Sequence, residues 1–168
     1  FTFSGEELGL LGSNYLVNNM PFLAEDAITM INMDMIGKLK DSSLIVYGTG
    51  TSSNWEDILN KYNNYGFKLT FNDEGFGPSD HSSFYGAKIP VLFFFTGTHE
   101  DYHKPTDDTE KINFDGEKNI LDYVYEIAMD IDNSPERPDY LLVEKKQTGE
   151  MFTRKVYVGT VPDFASNV

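Results

Sequence analysis

Seven apolar residues in a row, Ile89-Pro-Val-Leu-Phe-Phe-Phe95, constrain this chain more than any other stretch. The run is far short of the roughly 20 residues that a membrane-spanning helix needs, and it has the length of a strand. A strand with no polar residue on either face must be covered on both. Parallel-rich sheets achieve this because their crossovers lay helices over each side. The same rule makes its neighbours legible. Ala27 to Ile36 is nearly continuous in apolar residues and is stopped by Gly37, while Leu44 to Tyr47 and Phe67 to Phe71 are further short strands. Trp55, Ile58, Leu59 and Tyr62 recur at helical spacing, as do Ile120, Val124, Ile127 and Ile131. Strands alternating with helices predict an α/β fold around one open sheet.

Local signals set the boundaries. Phe1 and Phe3 read as the end of a strand that Ser4-Gly5 breaks, with Leu8, Leu11, Tyr15 and Leu16 then spaced as a helix. Ser53-Asn-Trp-Glu56 has the form of a capping box, and Asp115 is a candidate N-cap for the long helix after it. Asn133-Ser-Pro-Glu-Arg-Pro138 ends that helix, and Tyr140 to Val143 reads as an edge or linker strand. Gly48-Thr-Gly50 lacks the Lys-Ser/Thr ending and the third glycine of phosphate-binding loops, so that reading is set aside.

Polar residues gather where these strands end. Glu6 and Glu7 follow the first break, Asp34 sits near the end of an apolar strand, and Asp80 and His81 lie in a Gly/Pro-punctuated loop. His99 and His103 follow Phe95 directly. In open α/β sheets the crevice at the carboxyl ends of strands is where ligands bind. Each residue also has a plain reading: acids in a first helical turn complement the macrodipole, and Ser and Asp satisfy backbone in loops. Asp34 is harder to dismiss, because a carboxylate in an apolar strand costs several kcal/mol unless it is paired or metal-bound.

Composition narrows the chemistry. The 168 residues carry a formal net charge of −14, which repels nucleic acid and anionic lipid. Cysteine is absent, which removes disulfides, thiolate metal sites and a cysteine nucleophile. Any metal must then be held by His, Asp and Glu, a donor set that suits zinc or manganese in a hydrolytic site. Two adjacent glutamates point in different directions, so one can bind metal while the other accepts a proton from an attacking water. The chain opens on Phe1 with no initiator Met, and we expect a fragment or processed product.

Four motifs then occur in order: Phe3-Ser-Gly-Glu-Glu-Leu-Gly-Leu-Leu-Gly-Ser13, Asn32-Met-Asp-Met-Ile-Gly37, Ser79-Asp-His-Ser-Ser-Phe84 and Asp101-Tyr-His-Lys-Pro-Thr-Asp107. Together, over residues 1–133, they resemble the co-catalytic zinc aminopeptidases of peptidase family M28. The resemblance implies a phosphorylase/hydrolase-like α/β fold, with a mixed, mostly parallel central sheet flanked by helices on both faces. It implies a peptide substrate and two Zn(2+) ions per complete site. Glu6 would be the general base and Tyr102 would polarise the substrate carbonyl. Glu7 and His103 would bind one zinc and Asp34 the other, with Asp80 and His81 either behind the metal ligands or in the pocket wall. His99 matches no position of the pattern and is expected at the surface.

Family members carry a further His ligand and a bridging Asp ahead of the Gly-Glu-Glu motif. We therefore expect an N-terminally incomplete site, inactive alone. Residues 134–155 are expected to be a linker, poorly ordered after about Glu144, and 156–168 the start of an appended PDZ-like domain that takes C-terminal peptides by strand addition. The resemblance also implies an extracellular or periplasmic location. Glutaminyl cyclases and carboxypeptidase-like relatives share related sites, and a non-catalytic binding domain that kept the fold is the reading of another class.

Overall fold

The computed structural model describes residues 1–22 and 24–144. Its strands are β1 (Met30–Asp34), β2 (Ser43–Tyr47), β3 (Lys68–Asn72) and β4 (Val91–Phe95), and its helices are α1 (Leu11–Asn18), α2 (Trp55–Tyr62), α3 (His81–Gly86) and α4 (Phe114–Asn133). The four strands form one sheet in the order β1-β4-β2-β3. β1 runs parallel to β4 with Asp34 opposite Phe95, β2 runs parallel to β3, and β2 runs antiparallel to β4. The sheet is therefore mixed, with two of its three pairings parallel.

β4 is an inner strand because its sequence leaves it no other place. Val91, Leu92 and Phe94 are fully buried and Phe93 is nearly so. Side chains alternate across a strand, and they divide between two layers here. Leu92 and Phe94 pack with Trp55 and Leu59 of α2 and with Tyr123 and Ile127 of α4. Val91 packs with Phe84 and Tyr85 of α3, and Phe3, Leu16 and Val17 close over that cluster. Helices thus flank both faces.

Thr51 ties these parts together. Its Oγ1 accepts from the Val91 backbone N–H (3.0 Å) and from the Trp55 indole N–H (3.0 Å), with the Gly48 and Val91 carbonyls at 2.7 and 2.9 Å as acceptors for its own hydrogen. Gly48 makes the approach possible. Its φ is +81°, and a Cβ there would lie 2.4 Å from the Val91 carbonyl oxygen, a conformation and a closeness that only glycine tolerates.

Several boundaries differ from the sequence reading. Phe1 to Phe3 lies outside the sheet, with Phe1 exposed and Phe3 packed on Phe84 at 5.9 Å between ring centroids. α1 begins at Leu11, and Leu8, Leu11 and Tyr15 point to solvent while Leu16 and Val17 face the core. β1 lies at the sheet edge and is half-buried, not enclosed on both faces. The capping box at Ser53 does not form. Asp139 is the stronger acceptor, and its Oδ1 takes the Ser52 hydroxyl (2.6 Å), the Ser53 N–H (2.8 Å) and the Ser53 hydroxyl (3.0 Å). Those bonds hold the Asp139 carboxyl below the usual carboxylate range. Asn113, not Asp115, caps α4 by accepting from the Gly116 N–H at 2.9 Å.

Tyr140 to Val143 forms no strand, but it is fastened. The Leu141 N–H donates to the Thr51 carbonyl (2.8 Å), and the Val143 N–H donates to the Tyr85 hydroxyl (2.8 Å). The expected disorder after Glu144 and the PDZ-like start at 156–168 lie outside the described residues.

Replacing Thr51 by Val keeps the shape and removes the hydroxyl, leaving two buried N–H donors unpaired. Each such loss costs about 1–3 kcal/mol. Thr51→Val is expected to lower the unfolding free energy by about 2–4 kcal/mol in urea titrations. A change below about 0.5 kcal/mol, ordinary for an uninvolved surface position, would refute the role of this hydroxyl.

Candidate functional site

Glu6 and Glu7 sit in a hydrogen-bonded turn ahead of α1, not in its first helical turn. Gly5 takes φ +69° and its carbonyl accepts from the N–H groups of Leu8 (3.2 Å) and Leu11 (3.1 Å). The Gly12 N–H donates to Ser4 O at 2.9 Å, and a Cβ on Gly12 would fall 2.7 Å from Ser4 N. The spaced glycines of this motif are thus explained by a chain folded tightly on itself. The turn leaves Glu6 half-buried and Glu7 exposed.

Asp34 ends β1 on the same sheet face as Asn32, as the two-residue period requires. Ser79 spans the pair: its Oγ donates to Asp34 Oδ2 (3.0 Å) and accepts from Asn32 Nδ2 (2.8 Å). Met35 follows with φ +53°, turning the chain sharply off the strand, and its carbonyl accepts from the Thr96 hydroxyl after β4. Neither Asn32 nor Ser79 was assigned a task from sequence. Asn32 could have been found as the residue two before Asp34, and Ser79 as the neighbour of Asp80.

His103 lies in the loop between β4 and α4. It takes φ +57°, a region sparsely used by residues other than Gly, Asn, Asp and His. Its Nε2 is 2.8 Å from Glu7 Oε1, so residues 96 apart in sequence meet at one rim. The Tyr102 ring stacks on the His103 imidazole at 3.9 Å between centroids. Both members of the Glu7–His103 pair are more than half exposed, so the contact itself adds little to stability.

Glu6 reports on its surroundings. Burial, then the carboxylates of Asp34, Asp80 and Glu7, push its carboxyl above the ordinary value, with His103 pulling the other way. Asp80 is 8% exposed, and among the described residues its Oδ1 has no hydrogen-bond partner. His81 is fully buried and stacked on Phe93 at 4.4 Å, and among the described residues neither ring nitrogen has a hydrogen-bond partner. That burial lowers its pKa to about 4. His99 departs from the surface position expected of it. It is mostly buried, with Nε2 3.6 Å from Asp107 Oδ2 and its ring edge-on to Tyr102. An open cleft of about 430 Å³ between α1 and α3, lined by Leu10, Asn14, Phe76 and Ser82, includes none of the rim carboxylates.

A family model described as Peptidase family M28 matches residues 1–128. The chain belongs to peptidase family M28. It is similar to leupeptin-inactivating enzyme 1 of Streptomyces exfoliatus, 36% identical over 110 residues that make up 65% of this chain and 24% of that protein. It is also similar to aminopeptidase YwaD of Bacillus subtilis, 34% identical over 125 residues, 66% of this chain and 27% of that one. Among solved structures, an aminopeptidase from Aneurinibacillus sp. strain AM-1 superposes with a TM-score of 0.67 at 28% identity, covering 85% of this chain and 34% of that chain. BSAP, a zinc aminopeptidase from Bacillus subtilis, gives 0.63 at 31% identity over 77% of this chain and 34% of its own. The M28 chain described here therefore spans about a quarter to a third of these relatives.

The M28 rim suits zinc in the type of its donors. An imidazole nitrogen and a carboxylate oxygen already converge at 2.8 Å, and a concentration of carboxylates around Glu6 favours a cation. In number the donors fall short. Among the described residues no group of three or more His, Asp or Glu side chains is placed to hold a metal ion, and a catalytic zinc usually takes three protein ligands.

His81 yields a pH prediction. An unfolded histidine binds its proton near pH 6.5, whereas folded His81 binds it only near pH 4. Its contribution to stability is complete above pH 6.5 and is lost as pH falls through 4, on the order of 3 kcal/mol in all. Unfolding free energies of wild type and His81→Phe measured from pH 7 to 4 are expected to show the flatter slope in the variant. Equal slopes would refute the neutral buried imidazole.

Proposed function

We propose that this chain is part of a zinc-dependent aminopeptidase that removes N-terminal residues from peptides. The supporting observation is the meeting of Glu7 and His103 at 2.8 Å on the rim that also carries Asp34 and the half-buried Glu6. Membership of family M28 and the names of the relatives support the same reading.

In this proposal Glu7 and His103 hold one zinc and Asp34 holds the other. When bound, zinc supplies a Lewis acid that polarises a carbonyl and acidifies water. Glu6 removes the proton from the water that attacks the scissile carbonyl and delivers it to the departing amine. A raised pKa moves the Glu6 carboxyl in the direction that suits both halves of that transfer, since it holds the proton it has taken more readily than an ordinary carboxylate does. The Tyr102 hydroxyl donates to the carbonyl oxygen as charge builds there. The acidic rim attracts the free α-ammonium of a peptide and disfavours nucleic acid. Asp80 and His81 would stand behind the donors or in the pocket wall. Among the described residues no helix is long and apolar enough to cross a membrane, and an extracellular or periplasmic location completes the reading.

Two expectations test it. In the complete gene product, Glu6→Ala should lower kcat by about 10²–10⁴-fold while zinc stays bound, whereas Glu7→Ala should lose zinc. Metal analysis of both variants beside their turnover of a leucine-initiated peptide separates the roles, and equal zinc loss in the two would overturn the division of labour. The 168-residue chain alone, with two protein donors at one ion and one at the other, should bind zinc weakly and turn over little. Stoichiometric zinc and clear aminopeptidase activity in that chain would contradict the donor assignment.

A further inference from the structure

The loop that carries Tyr102 and His103 is long and polar, yet it is fastened to the loop that follows Asp34. Lys38 ends a short 3₁₀ turn, Ile36–Lys38, just beyond Asp34. Its ammonium is 2.8 Å from Asp107 Oδ1, with the Lys38 side chain only 16% exposed. The other Asp107 oxygen lies 3.6 Å from His99 Nε2. His99 sits edge-on to Tyr102 at 6.4 Å, and Tyr102 stacks on His103. Two backbone ties run beside this series. The Thr96 hydroxyl donates to Met35 O where the loop begins, and the Asn113 N–H donates to Gly37 O (2.8 Å) where it ends. The loop also closes on itself, since Asp101 Oδ1 accepts from the Thr106 hydroxyl and the Lys111 ammonium, both at 2.6 Å.

A surface ion pair would do little here. Lys38 differs because it is mostly buried, and removing Asp107 would take away its 2.8 Å partner, leaving only the more distant Asp101 carboxylate to face its charge. The pair therefore holds the His103 loop at one height above the sheet, against the strand end that carries Asp34. The distance between the two donor groups depends on that height. An ion site fails when its donors wander, because groups beyond the ligands set the ligands' position and orientation.

We propose that Lys38 and Asp107 are positioning residues of the metal site, acting through His99 and Tyr102 to set His103 relative to Asp34. This rests on the zinc reading of Glu7, His103 and Asp34 given above. Neither residue touches substrate or metal. Their effect is expected in how tightly zinc is held before it appears in the chemical step.

The test uses the complete gene product and zinc itself as the probe. Zinc affinity is measured by competition with a chromophoric chelator for wild type, Lys38→Met, Asp107→Asn, the double variant, Lys38→Arg and Lys61→Met. Lys61 makes an exposed pair with Asp130 far along the chain and serves as control. Lys38→Met and Asp107→Asn should each weaken zinc by about 10- to 100-fold. The double variant should fall no further than either single one, because the two act as a unit. Lys38→Arg, which keeps the charge, should restore wild-type affinity, and Lys61→Met should leave it unchanged. Melting curves of the metal-free proteins keep folding apart from binding, and Asp107→Asn, nearly the same shape as Asp, is the variant to read if Lys38→Met does not fold. Wild-type affinity in Asp107→Asn overturns the proposal. If Glu7→Ala binds zinc as wild type does, the zinc reading itself has failed, and the proposal falls with it.

Discussion

The parallel pairing of β1 with β4 is the constraint from which the rest of the site follows. Parallel neighbours end at the same edge of a sheet, so the chain leaving Asp34 and the chain leaving Phe95 emerge side by side. The turn bearing Glu6 and Glu7 closes over that edge, and a histidine 96 positions further along meets Glu7 there. Had β1 and β4 been antiparallel, Asp34 and the His103 loop would lie at opposite ends of the strands, roughly 17–20 Å apart for strands of this length. β4 can hold this position because its five residues bury both faces, with α2 and α4 on one side and α3 on the other.

A rigid sheet carrying a polar rim concentrates like charges, and the structure manages them in two ways. Asp34 is held by the Ser79 hydroxyl, which Asn32 in turn supports. Among the described residues Glu6 has no such partner, and burial together with its acidic neighbours raises its pKa. Uncompensated carboxylates at a strand-end crevice are costly to a fold, and such perturbed groups gather at functional sites. The left-handed Met35 and His103 fit the same pattern, since sparsely populated backbone conformations persist where the surrounding structure holds them.

Much of this was legible in the residues. The run from Ile89 to Phe95 implied an enclosed strand, and β4 is that strand. Trp55, Leu59, Ile120 and Ile127 were read as core from their helical period and are fully buried. The strand end at Phe95 was readable because the apolar run stops abruptly there, whereas the run from Ala27 continues to Ile36 and β1 ends two residues earlier, at Asp34. What escaped was set by long-range partners. The Ser53 capping box failed because Asp139, 86 residues away, takes the serine groups. The edge position of β1 depends on pairing order, which its own composition does not carry. His99 was expected at the surface because it matches no position of the motif pattern, and that pattern does not say that Asp107 would be its partner. Likewise, the exposed Leu8, Leu11 and Tyr15 have helical spacing, but spacing alone does not say which side of a helix meets the core.

The central claim is that the rim formed by the ends of β1 and β4 is a metal site whose donors are Glu7, His103 and Asp34. Anomalous X-ray scattering at the zinc edge, on crystals of the complete gene product grown with zinc, tests it most directly. The account predicts one peak bonded to both Glu7 and His103 and a second bonded to Asp34, with Glu6 bonded to neither. Peaks only at surface carboxylates away from this rim, or a zinc bonded by Glu6 in place of Glu7, would contradict it.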